Sequence, residues 1–275
     1  MNSVLYASFV YGCFIGILSY SYTLSRKSTK ITNYTLSSFY IFAYPLSYYS
    51  YKILRNNPYP NILIISIAIG FINVLLYKLL NYLYKKTDAD FLLSYILFSF
   101  TLLVVITANS MASWLRNQLD VYVGFLMKEA DFRFFRIPGV FIVSLLLTTL
   151  MLSVDRILLQ RKSKLNPNII WFYTGMLSSL VGGLAPFWFQ STASVYTLFP
   201  LFCAMLAGAT FFHDLKPSFS FVGGFISGFL EIIIVVLAQQ YGDVSYSEFR
   251  ILIPFVFLLI ASFRYLRVRT HSEST

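Results

Sequence analysis

Asn61-Ile62-Leu63-Ile64-Ile65-Ser66-Ile67-Ala68-Ile69-Gly70-Phe71-Ile72-Asn73-Val74-Leu75-Leu76-Tyr77-Lys78-Leu79-Leu80-Asn81-Tyr82-Leu83-Tyr84 carries a single charge, Lys78, and is followed at once by Lys85 and Lys86. A helix needs about 20 mostly apolar residues to cross the hydrocarbon core of a bilayer. This stretch has them. Inside lipid it must be helical, because every backbone N–H and C=O needs an internal partner there.

Runs of the same texture fill the rest of the chain. On either side of segment three lie Val4 to Leu24, Ser37 to Ile53, Phe91 to Trp114 and Ile137 to Leu159. The second half holds Asn168 to Phe189, Val195 to Phe212, Phe219 to Tyr241 and Phe249 to Leu266. The expectation is a polytopic all-α transmembrane bundle of about nine segments (eight to ten), forming one permease-like domain over residues 1–275. Segments two and seven are short and contain Pro45 and Pro200. Each either crosses whole or is a re-entrant or broken helix.

Composition agrees. The chain is 57% hydrophobic and 12% charged, about half the charge fraction of a soluble domain. Its 28 Phe and 21 Tyr suit long lipid boundaries, where Tyr sits at headgroup depth. Net charge is +10, yet Lys and Arg fall in the short loops. That pattern follows the positive-inside rule and argues against nucleic acid as a partner. Arg26, Lys27, Lys30, Lys85, Lys86, Arg161, Lys162, Lys164, Lys216, Arg267 and Arg269 share one side if nine segments alternate. This places the N-terminus outside and the C-terminus in the cytoplasm. No basic n-region precedes the first run, so it is read as a retained helix and not a cleaved signal. The sequon-like Asn33-Tyr34-Thr35 then falls on the cytoplasmic side. The link Leu115 to Arg136 mixes charge signs, and its Leu119–Met127 stretch reads either as a short interfacial helix or as a solvated connector.

Few residues suggest chemistry. Cys13 and Cys203 each lie within an apolar run, and His213 and His271 have no ligand spacing, so neither a metal site nor a His-based centre is expected. No phosphate loop, catalytic triad or cofactor fingerprint occurs, which points away from an enzyme and from any cofactor. Glu231 is the exception. A carboxylate at mid-membrane costs roughly 2.5–3.5 kcal/mol on insertion scales, so it either lines a pathway or fixes helix packing through a hydrogen bond. Gly224 and Gly228 form a small-xxx-small face before it. With Gly182, Gly183, Gly208 and Gly223 they mark close helix approach, or else a broken, substrate-lining helix. Asn73, Asn109 and Ser110 could bond across helices. Asp155, next to Arg156 near the cytoplasmic end of segment five, could form an ion pair at the interface with Arg161.

Three stretches resemble the permease subunits of branched-chain amino acid and urea-type ABC importers. Ser8 to Tyr51 looks like the family's opening helix, its N-F-A-H-G motif and a small Tyr-containing helix. Here Ile31-Thr32-Asn33-Tyr34-Thr35 keeps Asn33 but not the His or Gly. Leu75 to Phe98 is similar to a basic loop between two long helices. The family's G-G-x-x-x-G-x-x-E spacing is kept in Gly223, Gly224, Gly228 and Glu231, after Leu180-Val181-Gly182-Gly183 and Leu206-Ala207-Gly208.

The resemblance implies a path for a small polar solute, such as an amino acid or amide. It also implies a prokaryotic plasma membrane, a second membrane subunit, ATPase subunits and an external solute-binding protein. One departure stands out. The link Gln160 to Pro167 is too short for the coupling helix that the family carries between the matching helices. Two other readings stay open: a non-transporting assembly subunit on the same fold, and an ion-coupled carrier using Glu231.

Overall fold

The computed structural model describes residues 2–54, 58–87, 90–116, 129–132, 135–160, 166–185, 195–211, 216–241 and 252–263. These form α1 (Asn2–Thr29), α2 (Thr35–Leu54), α3 (Pro58–Thr87) and α4 (Asp90–Arg116). A hairpin of β1 (Glu129–Phe132) and β2 (Phe135–Pro138) follows. Then come α5 (Gly139–Gln160), α6 (Pro167–Leu184), α7 (Val195–Phe211) and α8 (Pro217–Tyr241). Last is a short apolar helix, α9 (Leu252–Phe263).

The chain is thus a multi-pass helical bundle. Among the described residues, four helices are long and apolar enough to cross a membrane: Val4–Thr29, Pro60–Tyr84, Gly139–Ile157 and Pro217–Leu237. Helix α3 shows what solvent its outer face requires. Leu63, Ile64, Ile67, Phe71, Ile72, Leu75, Leu79 and Tyr82 are exposed, while Ile62, Ile65, Ile69, Asn73, Leu76 and Leu80 on the opposite stripe are buried. Each half-exposed Leu or Ile forfeits about 1 kcal/mol in water. Eight on one stripe are tolerable only against hydrocarbon. The exposed faces of α5 and α9 have the same character, with Leu145, Leu146, Leu150, Leu259 and Ile260 outward.

Helix ends follow local chemistry. Asn166 caps α6, its side chain accepting from Asn168 N at 3.0 Å, and Pro167 takes the first helical position, where a missing N–H costs nothing. α1 stops at Lys30, whose φ of 62° is the left-handed conformation that closes a helix; its N–H donates to the Arg26 carbonyl at 2.8 Å. Both α2 and α7 run through their prolines, Pro45 and Pro200, as continuous helices.

One boundary differs from expectation in kind. Segment five begins at Gly139 and not at Ile137, because Ile137 and Pro138 belong to β2, paired antiparallel with β1 in the register Glu129↔Pro138 and Phe132↔Phe135. The long link therefore ends in a two-stranded hairpin that charge pattern alone did not suggest. The Leu119–Met127 stretch lies outside the described residues.

The chain divides into two compact units. One comprises residues Met1–Thr23, Gly124–Gln160 and Phe199–Thr275; the other comprises Leu24–Val123 and Arg161–Leu198. In the second unit, Leu76, Leu80, Leu97 and Trp171 form one apolar cluster, and Phe39, Ala43, Ile65 and Ile69 form another.

Candidate functional site

In the first unit, α1 carries small residues on one face, and α8 lies against them. A Cβ at Gly12 would come within 2.8 Å of the Phe225 carbonyl oxygen, and one at Gly16 within 2.7 Å of the Phe221 ring. Gly208 of α7 meets Gly224 of α8 backbone to backbone: a Cβ on Gly208 would sit 2.4 Å from Gly224 N and 2.5 Å from the Ser19 hydroxyl. Gly228 abuts Ile15 at 2.9 Å, and Gly223 is buried. The contact of Gly208 with Gly224 admits only glycine and holds helices close enough for polar groups to meet. Ser19 Oγ donates to the Met205 carbonyl at 3.0 Å, and Thr23 Oγ1 donates to Ser220 Oγ at 2.9 Å.

Two carboxylates are drawn into this unit. Glu231 is wholly buried and accepts from the Tyr11 hydroxyl at 3.2 Å. Asp155, also buried, accepts from the Tyr20 hydroxyl at 3.2 Å. Both tyrosines stand on α1, nine residues apart, so the two pairs are stacked about 14 Å along the helix. Ser218 also bonds to Asp155, and the Lys216 charge acts on it. The partner of Asp155 is therefore a tyrosine across the unit, whereas its neighbour Arg156 is exposed.

In the second unit a polar chain links four segments. Asn33, fully buried, accepts through Oδ1 from Thr35 N at 3.2 Å and from the Thr35 hydroxyl at 2.6 Å, opening α2. Its amide donates to Asn73 Oδ1 at 3.1 Å. Asn73 Nδ2 donates in turn to the Trp171 carbonyl at 2.6 Å. The Trp171 indole donates to Thr29 Oγ1 at 3.3 Å. Gly175 leaves the space that Asn73 fills, since a Cβ there would be 2.7 Å from the Asn73 Cβ. Gly182 is tighter still: its Cβ would stand 2.0 Å from the Tyr40 carbonyl oxygen, and Gly183 faces the Ile62 side chain at 2.7 Å. Ser178 donates to the Leu36 carbonyl beside this crossing.

The structure thus brings Gly208, Gly224, Gly228 and Glu231 into one cluster and Asn33, Gly182 and Gly183 into the other unit. Sequence reasoning passed over Tyr11, Tyr20, Gly12, Gly16, Trp171 and Gly175. The spacing Gly12-xxx-Gly16 in the first helix was an available signal for close approach. Nothing local marked the two tyrosines among 21 of their kind. Among the described residues, no group of three or more His, Cys, Asp and Glu could hold a metal ion.

No family model matches the chain, and no curated protein does. Among solved structures it is similar to PsaBC from Streptococcus pneumoniae in complex with Fab. The fold likeness spans nearly the whole chain. It covers 98% of this chain and 94% of that one, with a TM-score of 0.55 at 15% sequence identity. At that identity what is shared is the fold alone.

Proposed function

We propose that the chain is an ABC-permease-like membrane subunit that forms a path for a small polar solute. The observation that carries this reading is the fold likeness to PsaBC over 98% of this chain. It joins the resemblance to importer permeases in Gly223, Gly224, Gly228 and Glu231. On that resemblance the solute is an amino acid or amide. The partners are a second membrane subunit, ATPase subunits and an external solute-binding protein, in the plasma membrane of a prokaryote. The positive-inside pattern supports an outer N-terminus and a cytoplasmic C-terminus. On this reading the short link between α5 and α6 leaves ATPase docking to another loop; loss of ATP-driven transport is the alternative that fits an assembly subunit.

A second reading has an observation of its own. The wholly buried Glu231, bonded to Tyr11, is the group an ion-coupled carrier would protonate.

One preparation tests both. The full chain is purified from its native membrane in mild detergent, and co-purifying proteins are identified. An ATPase subunit is expected. If none comes with it, the importer reading fails, and a co-purifying enzyme complex would instead mark an assembly subunit. Labelled amino acid uptake in vesicles is then measured with and without ATP. Uptake that persists without ATP, collapses with an uncoupler and is lost in Glu231→Gln would establish the carrier.

A further inference from the structure

Ser220, Gly224, Ser227 and Glu231 recur along α8 at intervals of four, three and four residues, which puts them on one stripe of the helix. In the first unit that stripe faces α1. Thr23 donates to Ser220, a Cβ on Gly224 would fall on the Ser19 hydroxyl, and Tyr11 donates to Glu231. Gly224 thus makes room for a hydroxyl that α8 itself lacks at that step. Ser220, Ser19, Ser227 and Glu231 then supply an oxygen at each of the four steps, and all four residues are buried. The steps are roughly 4.5–6 Å of helix rise apart, a gap that one water bridges.

One end of this seam reaches water. Asp155 accepts from Tyr20 at 3.2 Å and bonds to Ser218, with the Lys216 charge acting on it. Lys216 and Arg156 are both exposed, as cations at a membrane surface are. Glu231 is at the other end, 13 residues along α8 from Ser218, or about 20 Å of rise. Asp155 is the acid that α5 brings to the seam. Cys13 of α1 is turned to Ser144 of α5 instead, and α7 contributes the Met205 carbonyl, which accepts from Ser19 at 3.0 Å.

Ser227, one turn before Glu231, is the telling group. It is 2% exposed, and its hydroxyl has no hydrogen-bond partner within the protein. Buried helical serines elsewhere in the chain return to a carbonyl one turn back, as Ser8 does to Val4 at 2.8 Å and Ser47 to Ala43 at 2.6 Å. A buried hydroxyl left open on the Glu231 stripe is placed to exchange protons with water or with the acid beside it.

We propose that this seam is a proton relay from Asp155 to Glu231, carried by the hydroxyls of Ser220, Ser19 and Ser227 and by water from the Lys216 end. It rests on the ion-coupled reading of Glu231 and names the route by which that group is loaded. A serine hydroxyl both donates and accepts. Each therefore takes a proton from the Asp155 side as it gives its own toward Glu231, and none changes charge. Asp155 returns to the carboxylate, and the Glu231 carboxylate becomes the neutral acid. Intramembrane carboxylates in series are the usual stations of such relays.

The test follows protonation itself and needs no transported solute. The full chain in lipid vesicles is given a sudden fall in pH, and carboxylic acid formation is followed by time-resolved infrared absorption. The Glu231 band is assigned by its loss in Glu231→Gln. Asp155→Asn and Ser227→Ala should each slow that band about tenfold or more while leaving its final amplitude unchanged, a change of rate that loss of helix packing does not produce. Ser8→Ala, one turn beyond Tyr11 on the far side of Glu231 from Asp155, should protonate at the parent rate. If Glu231→Gln loses no band, Glu231 takes up no proton, and the ion-coupled reading falls together with the relay. If the band is lost there but either Asp155→Asn or Ser227→Ala is as fast as the parent, or Ser8→Ala is slowed as much, the relay alone is ruled out.

Discussion

The amide of Asn33 donates to the side-chain oxygen of Asn73 at 3.1 Å, tying the entry of α2 to the middle of α3 forty residues on. Both residues are fully buried, and Asn73 passes the connection to α6 through the Trp171 carbonyl. In lipid, packing and such bonds hold helices together, because burying apolar surface from water contributes nothing between them.

Asn73→Ala removes two of these bonds and leaves the Asn33 amide without its acceptor. The expected loss is about 1–3 kcal/mol, read as a lower unfolding midpoint in detergent. A midpoint within error of the parent would show that the chain of bonds does not support α2 against α6.

The two neighbouring glycines of α6 should differ sharply. Gly182→Ala drives a methyl into the Tyr40 backbone, which cannot yield without parting α2 from α6, and should cost about 3 kcal/mol or more. Gly183→Ala meets the β-branched Ile62 side chain at 2.7 Å and no backbone, and should cost about 1–2 kcal/mol. Equal losses in thermal unfolding would contradict the geometry.

At the α7–α8 crossing, Gly208→Ala meets the backbone of Gly224, whereas against α1 Gly228→Ala meets the Ile15 side chain at 2.9 Å and the Gly12 Cα at 3.2 Å. Expression of folded protein, measured by size-exclusion chromatography in detergent, should collapse for Gly208→Ala and fall less far for Gly228→Ala.

Tyr11→Phe and Glu231→Gln address the buried pair. A double-mutant cycle on stability should give a coupling of about 0.6–1.7 kcal/mol, the range measured for hydrogen bonds between membrane helices. Additive single effects would mean that the 3.2 Å contact carries no energy. The same cycle on Tyr20→Phe and Asp155→Asn should give a coupling of the same order.

The helical segments were readable because a hydrocarbon solvent imposes length and apolarity locally. Asn61 to Tyr84 announced α3 within a few residues of its ends, and Asn168, the expected start of segment six, lies one residue past the observed start of α6. Where a short-range signal was missing, so was the expectation. The strand pair before α5 rests on backbone pairing that hydropathy does not register. Pro138, placed just inside the expected fifth segment, ends β2 instead. At the buried clusters, glycine could be picked out as a type, but its opposing surface could not. Gly182 and Gly208 meet backbone, whereas the nearest atoms to Gly183 and Gly228 are side-chain atoms of Ile62 and Ile15, and for Gly182, Gly183 and Gly228 those neighbours lie more than a hundred positions away in sequence. Glu231 stood out by charge, while Tyr11, its partner 220 residues earlier, looked like any other aromatic.

The first helix also has a history in time. Its bonds to Met205, Ser220 and Glu231 span 186, 197 and 220 residues of chain. At about 5–20 residues per second of synthesis, those partners emerge roughly 10–40 s after α1 has entered the bilayer. For that interval Gly12, Gly16, Ser19 and Thr23 have no helix to receive them. Insertion of this protein therefore includes a waiting stage, in which a helix shaped for enclosure must be sheltered by the insertion machinery or by neighbouring lipid until the last quarter of the chain is made.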